Sequence, residues 1–208
     1  MLKMAPARLA SGLAALIVAP CLFLSSPVPA LRAADSPEGI TVLGTARVAD
    51  HGESDVVVWL EAPGAPRTLP SKRVVLDQRN LSFMPHVLVV RVGTKVDLPN
   101  NDRVFHNVFS FHNGKRFDLG LYPVGTMRTV TFDQPGLSRI FCNIHPNMAA
   151  YVITVDSPYF AVSDNNGDFE IPSVAPGTYW YHAWRARGPE IAATTDLRDG
   201  RTLHVDWP

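Results

Sequence analysis

From Ile40 to Trp207 the apolar residues come in short runs, many alternating with polar ones, and each run ends at Pro, Gly, Asn or Asp. A period of two leaves one side of a segment apolar, which suits a half-buried strand and not a helix. In "ITVLGTARV", Ile40, Val42, Ala46 and Val48 all fall on one side. Eighteen prolines and fourteen glycines are scattered through Val/Thr/Tyr-rich stretches, so turns are frequent and no useful length keeps a helical period. With 46% hydrophobic and 18% charged residues among 208, a packed core is expected and disorder is not. The predicted fold class is all-β, arranged as two sandwiches.

The predicted strands run "ITVLGTARV" and "VVVWLEA", then a proline-rich linker "PGAPRTLP" at 63–70. Next come "RVVLDQ", "HVLVVRV", "KVDLPN", "HNVFSFH", "TMRTVTF", "RIFCN" and "AYVITV", ending at Val155. After "DSP" the strands resume as "YFAV", "DFEI", "TYWYHAW" and "TLHVDW", broken by the turns "SDNNGD" and "VAPGT".

The first 34 residues read as an export signal. Lys3 and Arg8 form a basic start, "LASGLAALIVAPCLFL" an apolar middle, and "SSPVPALRAA" a small-residue cleavage region with cuts expected after Ala30 or Ala34. An uncleaved anchor is the alternative, which Pro20 and the short apolar run argue against. Cleavage after Ala34 leaves sixteen basic against nineteen acidic residues, a net charge of −3, with no basic stripe for nucleic acid. It also removes Cys21 and leaves Cys142 alone. A lone thiol in a disulfide-permissive, exported setting cannot form an internal bridge and is exposed to oxidation unless something holds it.

The stretch "FCNIHPNM" suggests what does. Cys142, His145 and Met148 stand at three-residue steps, so one short loop can approach one ion from three sides. A copper electron-transfer site uses a thiolate and two imidazoles in a near-trigonal plane with a weak axial thioether. The sulfur ligands favour Cu(I) and the imidazoles accept Cu(II). The second imidazole is expected from "VDLPNNDRVFHNVFSF", where His106 opens a strand 36 residues before Cys142.

With "NN…HNV" followed by C-x2-H-x2-M, residues 75 to 156 resemble the blue copper proteins, the cupredoxins of plastocyanin and amicyanin type. Pro146 directly after the histidine and the short spacing look most like amicyanin. The resemblance implies a Greek-key β-sandwich over 72–156 and one type 1 copper on His106, Cys142, His145 and Met148. It also implies supporting roles. Asn107 would tie the two ligand loops together, with its N–H towards the Cys142 sulfur, and Phe141 would be the aromatic flanking the cysteine. Electrons would leave at the solvent edge of His145, inside an apolar ring supplied by Pro146, with Met84 and Pro85 as further candidates. Ala149 stands where the family commonly has glycine.

The flanks, "ITVLGTARV…VVVWLEAP" and "SDNNGDFEIPSVAPGTYWYHAW", resemble a transthyretin-like carboxypeptidase regulatory domain. That implies a discontinuous sandwich, 38–63 plus 157–207, with the copper domain inserted. A single enlarged sandwich is the alternative. "DNNGD" lacks EF-hand spacing and is expected to be a hairpin turn. His51, His86, His182 and His204 are expected to be surface or packing residues. His112 lies about 20 Å along an extended strand from His106, too far to share its ion. Trp180, Trp184 and Trp207 are expected to fill a small core.

The function these features imply is a one-electron carrier, periplasmic or otherwise exported. Its partners would be redox proteins such as a c-type cytochrome or a dehydrogenase. Nucleic acid and a stable membrane span of the mature chain are not expected. Four side-chain ligands leave no open position for substrate, so an enzyme is not expected. The alternatives are a copper storage or delivery protein, or a non-redox binding module using the transthyretin-like strands.

Overall fold

The computed structural model describes residues 39–65, 70–111, 113–199 and 202–208. The expected export signal, His112 and part of the proline-rich linker lie outside these residues. The described residues form strands and turns: β1 (Ile40–Val48), β2 (His51–Gly52), β3 (Val57–Leu60), β4 (Val74–Val75), β5 (Asp77–Arg79), β6 (Ser82–Met84), β7 (Val87–Arg91), β8 (Thr94–Pro99) and β9 (His106–Ser110). They continue as β10 (Phe117–Tyr122), β11 (Met127–Phe132), β12 (Gly136–Phe141), β13 (Ala149–Val155), β14 (Phe160–Val162), β15 (Asp168–Val174), β16 (Thr178–Trp184), β17 (Ile191–Asp196) and β18 (Leu203–Trp207). The fold class is all-β, as the period-two pattern predicts. No helix among the described residues is long and apolar enough to cross a membrane.

The central segment makes a five-stranded sheet, β10-β9-β12-β13-β7, and a three-stranded sheet, β11-β8-β4. Both turn apolar faces onto one core, where Val96, Leu98, Val108, Tyr122, Phe132, Ile140 and Val152 are buried. Alternation puts Val108 and Ile140 inside while Phe109 and Phe141 pair on the outer face.

The flanking segments make two further sheets, β15-β1-β18 with β2 on β1, and β14-β3-β16-β17. Strand β1 pairs antiparallel with β15 and parallel with β18, joining chain regions that lie far apart in sequence. Their core holds Val42, Ala46, Val58, Leu60, Phe169, Ile171, Val205 and Trp207. Gly44 is needed there, because a Cβ on it would meet Phe169 Cζ at 2.1 Å. A third cluster joins the outer face of the central sheet to the flanking strands: Val87, Ile153 and Val155 pack with Val57, Trp59 and Trp184.

Strands β2, β6, β10 and β17 escape the sequence pattern, and all four are sheet edges. Strand β10 has a register shift between Asp118 and Leu121, with Gly120 at φ +65, which breaks its alternation. Strand β17, "IAATTD", carries little apolar bulk. The expected "RVVLDQ" strand divides, β4 joining the small sheet and β5 turning into a hairpin with β6. Trp207 and Trp184 enter cores as expected, but Trp180 is 53% exposed. It lies on the outer face of β16, where the central sheet does not cover it.

Candidate metal centre

His106 and Cys142 are remote in sequence but sit on neighbouring strands. His106 opens β9 and points inward with Val108; Cys142 directly follows β12 and points inward with Ile140. The chain then turns back into β13 through Cys142–Met148. The Cys142 N–H donates to the Met148 carbonyl at 3.2 Å, and the Met148 N–H to the His145 carbonyl at 2.9 Å. This closed seven-residue loop sits between the paired Phe141 and Ala149. Alanine therefore accommodates the loop's exit as the first residue of an ordinary strand.

Three donor atoms converge. Cys142 Sγ lies 3.8 Å from His106 Nδ1 and 3.6 Å from His145 Nδ1, and the two Nδ1 atoms are 3.0 Å apart. The point equidistant from all three is about 2.0 Å from each, a usual metal–imidazole bond length. Two imidazoles and a thiolate in a triangle of that size fit a small soft-to-borderline ion, and copper among them. His106 is fully buried, Cys142 and Met148 nearly so, and His145 partly accessible. Met148 belongs to the same core cluster as Cys142.

Asn100 explains how His106 is delivered. Fully buried, its Nδ2 donates to the carbonyls of Val104 and Tyr122 at 2.9 and 3.2 Å, while its Oδ1 accepts the Asp102 N–H at 3.1 Å. Its neighbour Asn101 donates to Asp77 Oδ1 at 2.9 Å. The paired asparagines thus knit the loop before His106 to β10 and to the β5–β6 hairpin.

Asn107 departs from expectation. Its Nδ2 donates to Asp118 Oδ1 at 2.8 Å, across to β10 and not into the Cys142–Met148 loop. Its buried Oδ1 accepts no hydrogen bond from the described residues. The cause is alternation: with His106 turned inward, Asn107 faces outward, beside the edge strand. Phe141 is half-buried on that outer face, its ring 5.9 Å from Phe109. Pro146, Met84 and Pro85 are exposed. Phe105 and Ile144, each just before a histidine of the triangle, are 52% and 48% exposed.

Sequence reasoning missed Asp102. Its Oδ2 lies 3.0 Å from His106 Nε2 and accepts the Leu81 N–H at 2.7 Å; Oδ1 accepts the Arg103 N–H at 2.8 Å. Desolvation pulls this carboxyl upward, but the Leu81 and Arg103 N–H groups and His106 outweigh it and hold it at about 2. The only sequence signal was an Asp four residues before the histidine. The remaining histidines lie elsewhere. His182 sits between Glu61 and Glu190 at 2.8 and 3.0 Å, stacked on Trp59; His204 meets Thr45 Oγ1; His86 packs edge-on to Tyr151.

No protein-family profile and no curated protein matches the chain. Among solved structures, a purple cupredoxin from Nitrosopumilus maritimus is 26% identical, with a TM-score of 0.35 over 40% of this chain and 98% of its own. A copper-containing nitrite reductase from Thermus scotoductus is 26% identical at a TM-score of 0.39, over 46% of this chain and 25% of its own. A point mutant of amicyanin in its reduced state is 20% identical at a TM-score of 0.37, over 47% of this chain and 99% of its own.

Proposed function

We propose that the chain is an exported electron carrier holding one type 1 copper on His106, Cys142, His145 and Met148. The observation that carries this reading is the donor triangle, sized for one ion and made of the residue types that copper electron-transfer sites use. When bound, copper supplies a one-electron Cu(II)/Cu(I) couple. The protein's part is to hold the donors still and keep water away. His106 is sealed in the core, and the Cys142–Met148 loop is closed by its own backbone hydrogen bonds. Little has to move when the charge changes. His145 is the partly accessible donor and so the exit for the electron, between the exposed Ile144 and Pro146.

On this reading the central segment, 72–156, is a cupredoxin domain inserted into a second sandwich formed by 38–63 and 157–207. Their separate cores support that division, and so does the β1–β18 pairing. The partners are redox proteins, a c-type cytochrome or a dehydrogenase being the classes named by the resemblance. The chain is read as a carrier and not an enzyme, because four side chains complete the coordination. Export into the periplasm agrees with a single cysteine in residues 35–208 that a metal protects.

The test is titration of the chain with Cu(II). An intense blue thiolate-to-copper band, altered but retained in Met148→Leu, is expected; a colourless protein overturns the reading. Reversible cycling without metal loss marks a carrier. Loss to a competing chelator marks a delivery protein.

A further inference from the structure

Asp102 is not a member of the donor triangle, yet three hydrogen bonds converge on its carboxylate. The Leu81 donor requires an unusual backbone. Asn80 and Leu81 form the two-residue turn of the β5–β6 hairpin, between the paired Arg79 and Ser82, with φ of +53° and +57°. Asparagine adopts this conformation readily and a branched residue such as leucine seldom does. Leu81 is 51% exposed, so core packing does not account for it. What the turn achieves is an N–H aimed at Asp102 Oδ2. Asn101 fastens the same hairpin, its backbone N–H donating to the Gln78 carbonyl at 3.0 Å and its side chain to Asp77.

We infer that Asp102, braced by the Leu81 turn, is the positioning residue of the buried imidazole: it fixes the ring proton of His106 on Nε2, so that the Nδ1 lone pair faces Cys142 and His145. An ionised carboxylate can only accept, so the ring atom facing it must donate. The opposite tautomer would drive an N–H into the triangle, 3.0 Å from His145 Nδ1 and 3.8 Å from Cys142 Sγ, where a metal needs a lone pair. Once an ion is bound, the carboxylate makes the imidazole a stronger donor and favours the more positive metal state. That second consequence rests on the copper reading; the tautomer does not.

The experiment uses the full chain with and without metal, in wild type, Asp102→Asn and Leu81→Gly. In the metal-free wild type, nitrogen NMR of His106 is expected to find the proton on Nε2. An amide can donate as well as accept, so Asp102→Asn should produce a tautomer mixture. With Cu(II), the same variant should lose about 10- to 100-fold in affinity. Its reduction potential should rise, by about 59 mV for each tenfold loss specific to Cu(II). Leu81→Gly keeps the N–H, relieves the turn, and should leave tautomer and potential unchanged. A wild-type proton on Nδ1 overturns the inference, and so does an Asn variant with unchanged tautomer. If the NMR pattern holds and no copper binds, the copper reading fails and the positioning role stands.

Discussion

The central and flanking sandwiches use the same sheet chemistry and fill their cores differently. The flanking core is made of Val, Ala, Leu, Ile, Phe and Trp. Its buried serines are fully used: Ser163 Oγ donates to the Glu53 carbonyl and accepts the Val56 N–H, and Ser157 Oγ donates to the Leu60 carbonyl. The central sandwich buries His106, Asn107, Gln78, Asn100, Ser110, Ser138 and Thr154 as well as Cys142 and Met148. Gln78 Oε1, Asn107 Oδ1, Ser110 Oγ and Thr154 Oγ1 find no hydrogen-bond partner among the described residues. Buried polar groups without partners reduce stability. The central sandwich therefore carries more of this cost; in the flanking segments the one such atom among the described residues is Arg185 Nε.

The contrast is broken most sharply by Cys142→Ser. It should abolish the blue band entirely, whereas Ser163→Ala, a comparably small change in the other sandwich, should leave the band intact; absorption after Cu(II) addition decides. Next in size are core truncations. Phe132→Ala in the central core and Trp207→Ala in the flanking one should each cost about 3–5 kcal/mol in denaturant unfolding, since both side chains are almost wholly buried.

Alkaline pH should then act on the central core through Tyr122. Burial raises this phenol to about 12, against the opposing pull of the Gln78 hydrogen bond and Arg128; the Cys142 charge adds to the rise. The folded state thus prefers the neutral phenol. Its contribution is complete below pH 10, where the unfolded phenol is also neutral, and is lost as pH climbs from about 10 to 12. The loss should approach about 2–3 kcal/mol, and Tyr122→Phe should remove that slope. Tyr179 and Tyr181 in the flanking sandwich are also raised by burial, but both are more exposed and should contribute less.

The smallest pair sharpens the comparison best. Ser163→Ala strands the Val56 N–H and the Glu53 carbonyl and should cost about 1–3 kcal/mol. Ser110→Ala removes an unpartnered hydroxyl and should change stability by about 0.5 kcal/mol or less. Equal costs would mean that the two cores are built alike.

The same contrast explains what was legible in the chain. Cys142, His145 and Met148 lie within one loop, so their spacing was visible in the text, and the "NN" before His106 marked the loop that Asn100 and Asn101 knit together. Strand β1 announced itself by alternation, and β13 by a short apolar run that is buried on both faces. Edge strands β10 and β17 did not, because an edge with a bulge or with small residues lacks the pattern. Asn107 was placed by analogy, and the direction of its side chain depended on which face His106 took. Asp102 was hidden for another reason. Its role exists only once a hairpin well upstream folds against it, and no local spacing encodes that meeting.

The parallel pairing of β1 with β18 also sets an order of assembly. All strands of the two central sheets, β4 and β7 to β13, are made before Leu203–Trp207, and Ile40–Val48 keeps one edge bare until that strand arrives. Loss of Leu203–Trp207 would leave an open, aggregation-prone margin on Ile40–Val48.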